Sequence, residues 1–198
     1  MAEIDFHFDF RSPYSFLAFA QLPGLDAKVN LRPMDVLGVM EIVGNVPTTI
    51  VCKAKNRYAF ADLGRWSARL GVPLAPNPAM SAVDGRLLLR TALAAISEGS
   101  GWAATETLFK AMWQTPRDLD AAGIETLFAK LGLPGARIRA LAEEETTEAA
   151  LDAATRAAAD LGVFGAPTIA IGADLYFGND RLDFVRERLA ADAKAGVA

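Results

Sequence analysis

Two side chains that carry much of enzyme chemistry are almost missing here: among 198 residues there is one cysteine, Cys52, and one histidine, His7. A single cysteine excludes an intramolecular disulfide and a C-x-x-C redox pair. One cysteine and one histidine are too few soft ligands for a structural zinc site, so no metal is expected. A Ser-His-Asp hydrolase would have to bring His7 onto Ser12. Five residues of extended chain span roughly 16 Å, so the strand would have to fold straight back on itself. An excess of positive charge is missing too: 20 lysines and arginines face 24 acidic residues, a net charge of −4. That balance argues against nucleic acid as a partner. No apolar run approaches the roughly 18–20 residues that cross a bilayer. The opening "MAEIDFHFDF" has no basic start, no continuous apolar stretch and no small-residue cleavage site. A cytoplasmic protein with no membrane partner is the expectation.

What is present is a globular composition, 52% hydrophobic and 22% charged. The length suits one domain, or one domain with a large insertion. Ile4, Phe6, Phe8 and Phe10 alternate with Asp5, His7 and Asp9, the two-residue period of a strand. Ser12 fits the N-cap of a helix, and Pro13 its first position, where the missing N–H costs nothing. This helix is expected from Tyr14 to Leu22, stopped by Pro23–Gly24, with a second strand at Val29–Pro33. The chain therefore opens β-α-β within about 33 residues, close to the shortest right-handed crossover.

The middle has another period. Tyr58, Leu63, Trp66 and Leu70 recur at helical spacing and Gly71 closes the pattern. The proline-rich "GVPLAPNPAM" must be a loop. Further helices are expected over Asp84–Glu98, Trp102–Gln114, Asp120–Leu131 and about Pro134–Leu161, the last broken near Glu145. Phe60 and Trp66 read as core, His7 as a hydrogen-bonded strand residue, and Cys52 as a small buried hydrophobe. Lys53, Lys55 and Arg57 read either as a solvated basic face or as carboxylate ligands, Lys55 first. Near the end, "APTIAIG" and "DLYFG" flank Gly172–Ala173 as a hairpin would. A last helix, from about Asp180 to Ala193, carries Leu182, Val185 and Leu189 on one stripe, with Asn179 or Asp180 as its cap.

The order β-α-β, helices, β-β-α is that of an α/β protein with a thioredoxin-like sheet split by an all-helical insertion. Residues 1–35 and 163–198 would form the sheet domain and about 36–162 the insertion, with the helix near 145–161 packed back on the sheet domain. That architecture places a proline, usually after a cis bond, before its third strand and facing the active site. Pro167 of "GAPT" stands there. Redox-active relatives carry C-x-x-C at the turn after the first strand, where a helix N-terminus lowers a thiol's pKa. This chain has "SPYS" at that turn. A serine hydroxyl cannot exchange disulfides, but it can hydrogen-bond a thiolate that arrives from outside.

Three segments, "FDFRSPYSFLA", "GNVPTT…CKAKNRYAFADLGRW" and "VFGAPTIAIGADLYFGNDRLDFV", resemble, in this order and at these separations, the 2-hydroxychromene-2-carboxylate isomerases of bacterial aromatic degradation. Through them the chain is similar to the kappa-class glutathione transferases. The resemblance spans nearly the whole chain and implies glutathione as cofactor, a homodimer and a set of roles. Ser12 would hydrogen-bond the glutathione sulfur and hold it as thiolate. Pro13 and Tyr14 would line that end of the site, and Asn45 would also contact glutathione. Ala166, before a cis Pro167, would pair its backbone with the cysteinyl unit as an added strand does. Asn179 and Asp180 would hold the γ-glutamyl end at the start of the last helix. The reaction implied is a cis–trans rearrangement of an unsaturated aromatic keto acid, by reversible thiolate addition, bond rotation and elimination.

A free thiol with a pKa of about 8.5 is only a few per cent ionised at neutral pH. Lowering it by about two units takes roughly 2.7 kcal/mol. Two positions depart from the family pattern. Arg11 stands where an apolar residue, commonly leucine, is usual, and would face solvent or bind an anionic substrate or the glycine carboxylate. Met80 lies roughly where related isomerases turn a tyrosine toward the aromatic substrate. Lys53 and Lys55 are further candidates for a substrate carboxylate. Two other functions stay open: a kappa-like transferase or peroxidase, which would consume glutathione, and a noncatalytic glutathione-binding or interaction module, which would bind it without ionising it.

Overall fold

The computed structural model describes residues 2–195. Strand β1 (Glu3–Phe8) turns Ile4, Phe6 and Phe8 to one face, and Phe10 continues that face past the strand's end. All four are essentially unexposed. Their rings interlock: Phe6 stacks on Phe8 at 5.3 Å between centroids, and Phe8 meets Phe10 edge-on at 5.3 Å. Each such phenylalanine contributes about 1.5–3 kcal/mol by leaving water. The chain then turns, the Ser12 N–H donating to the Asp9 carbonyl at 3.0 Å, and enters α1 (Pro13–Phe19). Ser12 is the cap: its backbone is extended, and Oγ accepts the Ser15 N–H at 3.1 Å. The helix is shorter than its sequence suggested, and Leu22–Gly24 form a separate 3-10 turn.

Strand β2 (Lys28–Pro33) lies parallel to β1, from Glu3 against Lys28 to Phe8 against Pro33. Asp35 caps α2 (Val36–Val43), and Gly44, at φ 71°, ends it. The helices α3 (Thr48–Val51) and α4 (Lys53–Leu70) follow, and α4 closes on Gly71 at φ 64°. After the proline-rich loop come α5 (Gly85–Ser97), α6 (Gly101–Trp113), α7 (Ala121–Ala129), α8 (Gly135–Ala142) and α9 (Glu145–Asp160), with the expected break before Glu145. The hairpin of β3 (Thr168–Ile171) and β4 (Asp174–Phe177) returns to the sheet, and α10 (Leu182–Ala195) buries Leu182, Val185 and Leu189. The sheet order is β2-β1-β3-β4, with β3 antiparallel to both β1 and β4. This is the thioredoxin-like sheet with its helical insertion.

Sheet and insertion share one core. Phe109 of α6 packs against Phe8, Phe10, Phe16 and Phe19, with ring centroids 4.7–6.0 Å apart. Leu88 and Leu89 of α5, Phe128 of α7, Ile138 of α8 and Leu151 of α9 belong to the same cluster. The buried Trp113 indole N–H donates to the Phe10 carbonyl at 2.7 Å, fixing the end of α6 against the turn before Ser12. Over the other sheet face, Met34, Val39, Ala158, Ala159 and Val163 join α2 and α9 in a smaller cluster.

Three expectations are corrected. Helix α4 buries no residue: Phe60 is 67% exposed, and Trp66 is half-buried with the Arg69 guanidinium 5.3 Å from its ring. Helical spacing says that a face is apolar, not that another element covers it. His7 is buried on β1, but its Nε2 has no hydrogen-bond partner among the described residues. Cys52 is half-exposed between α3 and α4, not buried, because the chain breaks there from one helix into the next.

Candidate functional site

The turn after β1 and the turn before β3 meet. The Ser12 hydroxyl donates to the Ala166 carbonyl at 3.2 Å, and the peptide bond between Ala166 and Pro167 is cis. Among the described residues that carbonyl takes no other hydrogen bond, and the Ala166 N–H has no partner. The Gly178 N–H donates to the Pro167 carbonyl at 2.9 Å, which draws Asn179 and Asp180 to the same end of the sheet. Asn45 arrives from the end of α2: its Nδ2 donates to the Phe164 carbonyl at 2.8 Å, two residues before Ala166. Ser12, Pro13, Tyr14, Asn45, Ala166, Pro167, Asn179 and Asp180 therefore lie around one edge of the fold.

The Tyr14 hydroxyl donates to Asp62 of α4 at 3.0 Å. Burial, this hydrogen bond and the charges of Asp62 and Asp180 all push the phenol above its ordinary pKa. Tyr14 stays protonated, and its phenolate is not a usable base. Asn179 is buried, its Nδ2 without a partner among the described residues, whereas Asp180 is exposed and pairs with Arg181 at 2.5 Å. With only seven residues in α1, the helix macrodipole is small. The hydrogen-bonding group at this turn is chiefly the Ser12 hydroxyl.

Arg11 is otherwise engaged. Its backbone N–H and Nε donate to Asp9 at 2.8 and 3.0 Å, and its Nη2 reaches Asp35 at 2.6 Å. Asp9 is wholly buried and also accepts the Val36 N–H at 3.0 Å. Asp35 pairs in turn with Arg86, which also meets Glu148 and Asp152. Burial works against the charge on Asp35, but Arg11 and Arg86 outweigh it and hold the carboxyl below its usual pKa. Three arginines, counting Arg90, face Asp9, Asp35, Asp84, Glu148 and Asp152. The ladder has no surplus positive charge, so nothing in this geometry favours Arg11 as an anion ligand.

Lys53 and Lys55 are exposed on the first turn of α4, roughly two turns before the Asp62 that meets Tyr14. The backbone N–H groups of Lys55 and Ala54 lower the Cys52 thiol below its usual pKa. Met80, 38% exposed, sits on a loop anchored by buried Asn77, whose Nδ2 donates to the Ala111 and Arg117 carbonyls at 3.1 and 2.8 Å. That anchor adjoins Trp113 and hence Phe10. No hydrogen bond among the described residues joins Lys53, Lys55 or Met80 to Ser12 or Ala166. The sequence reading overlooked Asp62 and the pair Phe164–Phe177, whose rings lie 4.7 Å apart beside Gly165 and Ala166, each 43% exposed. A phenylalanine just before "GAPT" was the available signal.

The chain matches the DsbA-like thioredoxin domain family over residues 3–190. It is 32% identical over 187 residues to a 2-hydroxychromene-2-carboxylate isomerase of Pseudomonas putida, covering 90% of each chain. It is 25% identical over 201 residues to glutathione S-transferase kappa 1 of Rattus norvegicus, covering 92% of this chain and 88% of that one. A solved 2-hydroxychromene-2-carboxylate isomerase superposes with a TM-score of 0.86 at 25% identity, over 98% of both chains. With Ser12 to Ser15 where a dithiol would stand, the cis-proline turn beside them, and these relatives, the chain belongs to the DsbA-like thioredoxin-domain family, among the 2-hydroxychromene-2-carboxylate isomerases.

Proposed function

We propose that this chain is a glutathione-dependent isomerase that interconverts cis and trans forms of an unsaturated aromatic keto acid of the 2-hydroxychromene-2-carboxylate type. One observation carries the reading: the Ser12 hydroxyl touches the Ala166 carbonyl while the Ala166 N–H has no partner among the described residues. A free donor and a lightly held acceptor on one residue suit a peptide ligand laid alongside as a short strand. The isomerase relatives support the reaction class. The rat transferase, a weaker relative, supports the cofactor.

Glutathione fits these residues, and when bound it supplies a thiolate able to add reversibly to a conjugated double bond and leave again. At 3.2 Å the bond from Ser12 to Ala166 is long for an O–H···O contact. Turning the hydroxyl toward a charged sulfur exchanges it for a stronger, charge-assisted bond. The same rotation frees the Ala166 carbonyl to accept the ligand's N–H. Asp180, exposed beside Tyr14, would pair with the γ-glutamyl ammonium, and Asn179 would offer its unpartnered amide. Asn45, braced on Phe164, would close the other side. Lys53 and Lys55 would meet the substrate carboxylate, and Met80 and Phe164 its ring.

The test is a pH titration of the ultraviolet thiolate absorbance of glutathione bound to the protein, beside the Ser12→Ala variant. A thiolate pKa about two units below the free value, returned upward by the substitution, is expected. The chromene acid should then isomerise with glutathione recovered unchanged. Net loss of glutathione would favour the transferase reading, and binding with no thiolate signal would overturn activation by Ser12.

A further inference from the structure

We propose that Arg11 is a positioning residue for Ser12: its guanidinium, clamped between Asp9 and Asp35, holds the β1–α1 turn and the start of α2 in one register. This inference rests on the glutathione reading above. Asp9 is the hub on the turn side. Its carbonyl accepts the Ser12 N–H at 3.0 Å, and its carboxylate accepts both the Arg11 and Val36 N–H groups, at 2.8 and 3.0 Å. Asp35 is the hub on the other side, where it caps α2 through the Leu37 and Gly38 N–H groups. Arg11 is the cation that lets these two buried carboxylates lie close together.

The turn carries Ser12, and eight-residue α2 delivers Gly44 and Asn45 at its far end. A shift at Asp35 is therefore transmitted along a rigid helix to Asn45. The clamp is also built into α5. A side chain at Gly85 would place its Cβ 2.7 Å from Arg11 Cδ and 2.8 Å from Nε. The next residue, Arg86, extends the pairing to Glu148 and Asp152 on α9. Ser12 is thereby braced against the helical insertion as well as the sheet. An arginine fork is suited to bridging two carboxylates, and a lysine ammonium satisfies only part of that geometry.

The experiment compares the full-length protein with Arg11→Leu and Arg11→Lys at a temperature where circular dichroism shows all three folded. Two signals are read: hydrogen exchange at the Ser12 amide, and the thiolate titration of bound glutathione. In Arg11→Leu, Ser12 exchange should rise at least tenfold. The thiolate fraction at the wild-type midpoint should fall from one half to about one quarter, a shift of roughly half a pKa unit. Arg11→Lys should restore part of each. A purely structural arginine would lower the unfolding midpoint and leave both signals unchanged, which would overturn the inference. If Arg11→Leu does not fold, Asp35→Asn opens the same clamp from the α2 side and should move both signals in the same direction. A wild-type protein with no thiolate signal would sink the glutathione reading alone, and Ser12 exchange would then decide the role of Arg11.

Discussion

Acidification from pH 7 to pH 5 should weaken this fold through one residue. His7 is buried on β1, and its pKa is held down to about 4 from an ordinary 6.5. Burial is the main cause; the Arg32 charge adds to it and the Asp5 charge opposes it. Between these two values the unfolded chain binds a proton that the folded chain refuses. Stability from this group is thus full above about pH 6.5, falls as pH drops, and levels off below about pH 4. At pH 7 almost none of it is lost; at pH 5 the loss is about 2 kcal/mol. His7 is the chain's single histidine, so no other imidazole contributes. Urea unfolding followed by circular dichroism, at both pH values, on wild type and His7→Gln isolates the effect. The wild type should lose about 2 kcal/mol more than the variant over this interval. Parallel losses in the two proteins would refute a buried neutral imidazole as the source.

Other substitutions test the core and the site. Phe109→Ala removes the ring around which Phe8, Phe10, Phe16 and Phe19 pack, and urea unfolding should show a cost of about 3–5 kcal/mol. Trp113→Phe keeps the packing but leaves the Phe10 carbonyl unpaired, with an expected loss of about 1–3 kcal/mol in the same assay. Gly85→Ala drives a methyl against Arg11 and should cost about 1–3 kcal/mol, with faster amide exchange at Ser12. Asn45→Ala should weaken glutathione binding several-fold by calorimetry while leaving the thiolate pKa of the bound form unchanged, since Asn45 braces Phe164 and Ser12 does not depend on it.

The parts of the fold that depend on neighbouring residues were open to reading. Alternation in β1, the Ser12–Pro13 entry to α1, the glycine stop at Gly71 and the Gly172 turn each act over a few residues. Helices α5 to α9 fell within a residue or two of their expected ends for the same reason, whereas α4 starts earlier than its pattern, at Lys53, and α2 and α3 were not expected at all. What covers each face was not legible. In α4, Phe60 and Trp66 satisfy the helical period, yet the helix meets the body of the fold along α1, where Asp62 takes the Tyr14 hydroxyl. Periodicity records that a helix has two faces. It carries no information on which face finds a partner.

The candidate site divides along the same line. Ser12, Pro13 and Pro167 stood out because turn chemistry and the strand order place them, Tyr14 and Ala166 only through the family resemblance, and the structure brings the two turns to 3.2 Å. Arg11 drew attention only as a departure, and the reason for it lies elsewhere in the chain, at Asp35 and Gly85. Neither position is informative alone: an aspartate before a helix is an ordinary cap, and a glycine after one at a helix start is unremarkable. Together with Asp9 they form a space and a charge pattern that suit an arginine fork. An apolar residue at position 11 would leave Asp9, which is wholly buried, without its cation, and a buried uncompensated carboxylate costs several kcal/mol. The identity of residue 11 is therefore accounted for by two carboxylates and a missing side chain.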